Sequence, residues 1–275
     1  MRDWRTDHAG VSPFTIDAGH FEADVAGVSY AYTKPELPRI IPFPVARVEI
    51  QQWVFGETVL KAGLLNHLDL ETTIIPYQQI RQRTEISDFS GHHFVTSQAQ
   101  GFGDMSARLK LNLWGNDGGK TALSLCGTAI FPTASDHFVD LGYRAGPSLE
   151  FAAQLPWQFE LRVDSEAIIY EDFTHQTQAT IGNSLSLSHP ITCNLSIYGM
   201  FSAFVYSGDS SETVIQAGGG AIFIRYSSAE WRGYARTGFN YRIGKNLELF
   251  AGSSFGVHGS FAADYNPFVG IGARF

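Results

Sequence analysis

Apolar and polar residues alternate along most of the chain with a period of two residues, which is typical of β-strands. In the stretch 231–243, one set of alternate positions is apolar or small. The interleaved set carries Arg232, Arg236 and Arg242. Hardly any segment shows the 3.6-residue period of an amphipathic helix. The pattern predicts an all-β protein.

Short turns and longer polar or Pro-rich loops separate the alternating segments and follow one another in turn. Asn116-Asp117-Gly118-Gly119 is a strong hairpin signal, because these residue types tolerate positive φ. We predict twelve strands, at residues 20–32, 47–64, 68–82, 102–114, 121–132, 139–154, 158–171, 176–189, 193–206, one within 214–243, 247–258 and 265–275. The region 214–243 is too long for one plain strand, so it either extends a strand beyond a membrane or raises the count to fourteen.

Strands of about 11–15 residues exceed the globular average and suit a tilted crossing of a bilayer. Short turns at one end and long loops at the other are typical of outer-membrane barrels. The prediction is an antiparallel up-and-down transmembrane β-barrel with short periplasmic turns and longer extracellular loops. Residues 20–275 would form the barrel, and residues 1–19 a periplasmic segment or a plug in the lumen.

The alternation alone does not say which face of the barrel meets water. A soluble, lipocalin-like barrel has its apolar face inside, whereas a membrane barrel has it outside. The apolar face carries many small residues, although a dry core would need bulk at most positions. Aromatic residues such as Trp53, Trp114, Trp157 and Trp231 lie near predicted strand ends, as in interfacial girdles. We therefore place the apolar face in lipid.

Composition agrees once the residues are sorted by face. The mean hydropathy of −0.06 resembles that of a soluble protein, but it averages two different faces. No run of 18 apolar residues predicts a membrane-spanning helix. The net charge of −8 argues against binding nucleic acid. The N-terminus shows no signal-peptide core, and Cys126 and Cys193 are predicted to be unpaired.

Four passages of sequence resemble known patterns. The chain ends in Arg274-Phe275, like the terminal signature of Gram-negative outer-membrane proteins. Near the N-terminus stands TDHAGVSPFTIDAGHFEADVAGVSY, followed later by GFGDMSARLKLNLWG and LSLCGTAIFPTAS. In this order they resemble the phenol-degradation-pathway (MetA-pathway) family of outer-membrane transporters. His8-Ala9 departs from that family's usual Arg-Pro, and 214–228 is extra material. The resemblance implies a barrel transporter in the bacterial outer membrane.

Charged residues on the polar face are the main candidates for a solute path. By parity we place these side chains in the lumen: Arg47, Glu49, Arg108, Lys110, Arg144, Glu150, Arg162, Asp164, Glu166, Arg232, Arg236 and Arg242. The alternative is a network of ion pairs that only fills a narrow barrel. The Pro-rich segment 34–44 contains Ile40, Ile41 and Phe43, which could form a lid. The alternative there is a loop packed on its neighbours.

Catalytic and metal chemistry find little support. Ser254 and His258 share a strand but lie four residues apart, too far for direct activation. The sequence around His92-His93 suggests no third ligand for a metal ion. We predict no enzyme activity, no metal and no cofactor.

The sequence thus predicts a porin-like channel for passive uptake of small solutes, aromatic or apolar ones included. A structural barrel with a plugged lumen and a soluble lipocalin-like carrier are the alternatives. Expected partners are the small-molecule solute, outer-membrane lipid and lipopolysaccharide, and the barrel-assembly machinery through Phe275.

Overall fold

The computed structural model describes residues 12–34, 45–88, 91–116, 120–135, 142–171, 177–207, 211–217, 220–226, 230–258 and 265–274. Almost all of these residues lie in β-strands or in the turns between them. A 3₁₀ turn at Pro156–Gln158 is the helical element in this part of the chain. Over the same residues, no helix has the length and apolarity needed to cross a membrane. The prediction of an all-β protein is confirmed.

The described residues form sixteen strand segments. In chain order they are β1 (Phe21–Thr33), β2 (Val45–Leu65), β3 (Leu68–Ile74), β4 (Tyr77–Asp88), β5 (Gly91–Gly101), β6 (Met105–Trp114), β7 (Thr121–Phe131), β8 (Arg144–Gln154), β9 (Glu160–Glu171), β10 (Thr177–Pro190), β11 (Leu195–Ser207), β12 (Ser211–Ala217), β13 (Gly220–Tyr226), β14 (Glu230–Ile243), β15 (Leu247–His258) and β16 (Asn266–Arg274). Every pairing between them is antiparallel.

The sheet closes into a barrel of twelve strands, because β1 pairs with β16 on one side and with β2 on the other. β3 and β4 both pair with β2 and act as one interrupted strand. β5 and β6 likewise continue each other, each pairing with one half of that strand. The predicted count of twelve is confirmed. β12 and β13 form a separate hairpin in the connection from β11 to β14, so they do not enlarge the barrel.

The region 83–101 differs from the prediction of a long loop. β4 and β5 pair along it from Gln78–Gly101 to Asp88–Gly91, so the loop is a β-hairpin that extends the sheet. The interruption between β3 and β4 falls at Ile75-Pro76, where the proline nitrogen has no hydrogen to donate to the ladder. His92 and His93 therefore lie in a strand.

Burial shows that the polar face is inside. Leu109, Leu185 and Phe201 are 48%, 51% and 44% exposed. By contrast, the side chain of Glu150 is fully buried and Lys110 is 3% exposed. The charged residues are shielded by the wall while the large apolar residues point outward, as in a membrane barrel. The soluble, lipocalin-like alternative is therefore wrong.

Aromatic side chains cluster on the outer surface toward the loop end. Rings of Tyr30, Trp53, Phe55 and Tyr77 form a continuous chain across three strands, with centroid separations of 4.5, 6.1 and 5.8 Å. At the turn end, Trp114 and Trp157 are exposed. Amphipathic rings at two levels suit the two interfaces of a bilayer.

The inward and outward faces of β1 and β2 reverse partway along the strands, at Gly27 of β1 and Gly56 of β2. Gly56 has φ of +66°, which a glycine adopts without steric cost. Beyond it Glu57 and Lys61 line the interior, whereas before it the odd positions carry the exposed Trp53 and Phe55. The register of β1 against β16 shifts at the same level, between Ala26 and Val28. One extra residue moves all later side chains to the opposite face.

Candidate functional site

Glu150 of β8 is the centre of the ion-pair network inside the barrel. Its carboxylate contacts the Arg108 guanidinium of β6 and lies 3.7 Å from Lys110 Nζ. Ser124 Oγ and Cys126 Sγ of β7 also donate to it, at 3.2 and 3.3 Å. A buried carboxylate needs such partners, because removing a charge from water is costly. The network ties β6, β7 and β8 together across the inner face.

Other charges on the same side of the barrel are paired too. Lys61 Nζ bridges Glu22 and Asp24 at 2.8 and 3.1 Å. Further contacts join Lys110 to Glu71 at 2.6 Å, Arg162 to Glu160 at 2.6 Å and Arg144 to Asp104 at 2.5 Å. These charges neutralise one another within the wall.

A cavity of about 820 Å³ lies inside the barrel, and its two walls differ in chemistry. The wall from β1, β2, β3, β6 and β9 is charged. It carries Asp24, Glu57, Lys61, Glu71, Lys110, Asp164 and Glu166. The wall from β10, β11 and β14–β16 presents rings and a thioether among small polar side chains, with a single charge among the described lining residues. Its main groups are Met200, Phe204, Tyr234, Arg236, Phe250 and Phe268.

Rings on the second wall lie over glycines of neighbouring strands. A Cβ at Gly182 would stand 2.8 Å from Phe204 Cε1, and one at Gly252 would stand 2.7 Å from Phe268 Cζ. Phe250 covers Gly270 in the same way. Real Cβ atoms do not approach so closely, so the glycines provide the space that the rings occupy. The rings therefore form a lining along the inner wall.

The segment 12–17 lies inside the barrel at the turn end. The backbone N–H of Thr15 donates to Asn116 Oδ1 at 3.0 Å, and that of Ile16 donates to Asp69 Oδ2 at 2.8 Å. Asn112 Nδ2 donates to the Pro13 carbonyl at 2.7 Å. The side chains of Thr15 and Ile16 are buried, and Ser12 lines the cavity. Polar groups of three different strands or turns thus hold this segment.

The predicted lumen residues lie in several different settings. Lys110, Asp164, Glu166 and Arg236 line the cavity. Arg108, Glu150 and Arg162 lie in ion pairs on the inner wall. Arg144 pairs with Asp104 toward the loop end, Arg242 stands opposite Glu248 at the turn end, and Arg232 lies two residues before Tyr234 on β14. Their part in a solute path stays a prediction.

Parity misplaced one residue of that set. Glu49 occupies the strand face of Trp53 and Phe55, which is the exposed face, because Gly56 reverses the alternation before Glu57. Arg47 has the same parity, and its side chain lies outside the described residues. The lid residues Ile40, Ile41 and Phe43 also lie outside the described part of the chain.

Sequence reasoning missed the ring-bearing wall. Tyr198, Phe204, Phe250 and Phe268 occupy inward positions, where we expected polar groups. A usable signal was present, since glycines recur at inward positions of neighbouring strands, such as Gly182 and the others beneath the rings. A glycine opposite a ring on a polar face indicates a ring lying against the wall.

The described residues do not assemble the reactive groups that we considered. His258 stacks on Trp231 with a centroid distance of 3.9 Å, whereas Ser254 lines the cavity, so the two do not form a pair. Within the described ranges, no three His, Cys, Asp or Glu side chains are grouped to hold a metal ion. Cys126 and Cys193 are both free thiols, as predicted.

A closed barrel with lipid-facing leucines, aromatic girdles and a charged interior is an integral outer-membrane β-barrel. The predicted location in the bacterial outer membrane agrees with this class. Residues 9–260 match the model of the family described as "Putative MetA-pathway of phenol degradation". The chain belongs to that family, so the family resemblance stated from the sequence is confirmed.

Solved structures share the fold. The chain is similar to an outer membrane channel from Pseudomonas putida F1, with a TM-score of 0.60 and 12% identity over 96% of this chain and 98% of that one. It is also similar to the transport unit of the autotransporter AIDA-I from Escherichia coli, with a TM-score of 0.56 and 13% identity over 96% and 94% of the two chains. The comparison with curated proteins returned no match.

Proposed function

We propose that the protein is an outer-membrane channel for passive uptake of small solutes that carry an aromatic or apolar group. The internal cavity of about 820 Å³, with rings on one wall and charges on the other, carries this proposal. Such a cavity is large enough for a one-ring compound and offers it both apolar contact and polar anchoring. The similar structure from Pseudomonas putida F1 is itself described as an outer membrane channel.

The N-terminal segment acts as a plug in this proposal. Residues 12–17 are hydrogen-bonded to Asn112, Asn116 and Asp69 at the turn end, where a solute would leave the barrel. These are a few exchangeable bonds to a short segment with no strand of its own. Its displacement would open the path without any change in the barrel wall. The chain would then divide into a plug at 1–19 and a barrel at 20–275.

The rival is a structural barrel whose plug never moves. Paired charges such as Arg108–Glu150 would serve either role, so they do not decide between them. The ring-bearing wall favours a channel, because the interior of a purely structural barrel is expected to be filled by side chains without an open cavity lined by rings. A channel is also favoured over an enzyme, because the described cavity residues include no nucleophile beside a base.

Flux through proteoliposomes tests the proposal. Phenyl β-glucoside and methyl β-glucoside carry the same uncharged sugar, cross lipid slowly and differ in the ring. We expect phenyl β-glucoside to enter proteoliposomes faster than it enters empty vesicles. Its entry rate into proteoliposomes should also exceed that of methyl β-glucoside. Rates for both solutes equal to those of empty vesicles would contradict the channel.

Lipopolysaccharide contact and assembly through the terminal Phe275 complete the proposed setting. The exposed apolar band and the aromatic rings fit a lipid environment. Phe275 itself lies outside the described residues, so its role rests on the sequence. Deleting Phe275 should lower the amount of folded, heat-modifiable barrel in outer-membrane fractions, and an unchanged amount would contradict that role.

A further inference from the structure

Arg236 is the charged side chain on the ring-bearing wall, and it differs from the other cations of the cavity. Lys61 and Lys110 each contact carboxylates within 3.1 Å. Arg236 has no carboxylate within ion-pair distance among the described residues, and its buried Nε has no hydrogen-bond partner. A buried donor without a partner is costly, so the protein itself leaves the guanidinium of Arg236 only partly satisfied.

The surroundings of Arg236 define what could satisfy it. Its guanidinium lies 5.2 Å from the centroid of the Phe268 ring, so a ring and a cation lie side by side. Ser254 stands directly opposite Arg236 on β15, and Asn266 stands opposite Ser254 on β16. Asn266 Oδ1 is buried and also lacks a partner. Ser254 and Asn266 thus continue the row of Arg236 across the next two strands, and the Ser254 hydroxyl can donate a hydrogen bond to an anion.

The charges across the cavity set the polarity of the ligand. Glu57 and Arg236 both line the cavity, and their opposite charges act on each other without forming an ion pair. Asp164 Oδ1 also lacks a hydrogen-bond partner, but the positive charges of Arg108 and Lys110 on β6 act on its carboxylate. Among the cations that line the described cavity, Arg236 is thus the one without a carboxylate at ion-pair distance, and an anion can supply that partner.

We propose that the cavity binds an aromatic monocarboxylate, with the carboxylate on Arg236 and Ser254 and the ring against Phe250 and Phe268. This inference rests on the proposed channel function and names its substrate class. The planar guanidinium matches a carboxylate with two parallel hydrogen bonds. The rings supply the apolar contact that a simple inorganic anion cannot use.

Three probes of equal shape test the polarity of the site. Benzoate, benzamide and benzamidinium carry the same ring and a planar head of charge −1, 0 and +1. Binding to the full-length protein in nanodiscs is measured by calorimetry at neutral pH. We expect benzoate to bind most tightly. Equal affinities, or a preference for benzamidinium, would overturn the proposal.

Variants locate the site. Arg236→Met should weaken benzoate binding about tenfold or more, since an ionic hydrogen bond is lost, and should leave benzamide within about twofold. The benzoate affinity of Arg236→Lys should lie between those of the wild type and Arg236→Met. Glu57→Gln should strengthen benzoate binding, because it removes a negative charge that opposes the carboxylate. Arg81→Met is the matched control, since Arg81 is exposed on β4. Unchanged benzoate affinity in a folded Arg236→Met protein would overturn the proposal.

Flux measured on the same preparations separates this inference from the channel itself. If the protein conducts glucosides but its benzoate affinity does not change in the Arg236 variants, the carboxylate site is refuted and the channel is still supported. Arg236-dependent benzoate binding without any flux would refute the channel and support the site. Heat-modifiable gel mobility shows that each variant is folded before it is compared.

Discussion

The ring of Phe250 on β15 lies directly over Gly270 on β16, in the place where any other residue would have its Cβ. Phe204 and Gly182 repeat the arrangement on β11 and β10. The ring-bearing wall of the cavity therefore depends on backbone that carries no side chain.

Gly270→Ala tests this dependence. The new methyl group would meet Phe250 and the Val25 carbonyl oxygen, so we expect a loss of roughly 1–3 kcal/mol in unfolding free energy. Reversible denaturation in lipid vesicles measures it. Gly199→Ala is the control, because a Cβ there meets nothing within 4 Å. Equal small losses in both variants would show that the ring does not need the glycine.

Phe268→Leu tests the contribution of the rings to solute choice. The change keeps an apolar side chain but removes a ring that lines the cavity. Ring contacts contribute about 0.5–1.5 kcal/mol, so the preference for phenyl over methyl glucoside should fall about threefold to tenfold. Phe239→Leu, on the outer face of β14, should keep the wild-type preference. If the preference for the phenyl glucoside fell equally in both variants, the ring of Phe268 would not be the group that selects the solute.

Asn116→Ala tests the plug. The substitution removes the side chain that accepts from the Thr15 N–H and donates to Thr15 Oγ1 at 2.5 Å. We expect longer or more frequent open events in single-channel recordings, because the segment is held less firmly. Asn194→Ala, in another turn at the same end, is the control. If recordings match wild type while protease accessibility shows that the segment has been released, the segment is not the barrier.

Glu150→Gln tests the ion-pair network. It leaves Arg108 and Lys110 facing an uncharged group inside the wall, and breaking a buried pair costs roughly 3 kcal/mol. Unfolding free energy should fall by an amount of that order. Glu160→Gln disrupts a pair with one partner, Arg162, and should cost less. A loss at Glu160 as large as that at Glu150 would contradict the central place of Glu150.

The alternation of residues was enough to predict the barrel and its twelve strands, because lipid on one side and a polar lumen on the other impose a period of two. It could not place Glu49, since the reversal at Gly56 depends on a positive φ that many glycines in the chain do not adopt. It also missed the strand pairing in 83–101, where β5 pairs with β4 beyond the level at which β6 and β7 form the wall.

Parity also predicted only part of the candidate site. Lys110, Asp164 and Arg236 follow from parity, which sorts charges onto the inner face. Phe204 and Phe250 do not, because an inward ring looks like an exception to a polar face until the glycine beside it is known. Pairing of neighbouring strands is information that one sequence does not contain.

Rings that lie against glycines also limit the free width of the barrel interior. The diameter of a barrel is fixed by its strand number and stagger, so the wall itself cannot adjust to a different solute. A ring placed over a glycine occupies space that two side chains would otherwise share, and exchanging the two residues would move the ring by one strand. Substitutions at Gly182, Gly252 and Gly270 thus offer a way to reshape the passage while the hydrogen-bonded frame stays the same.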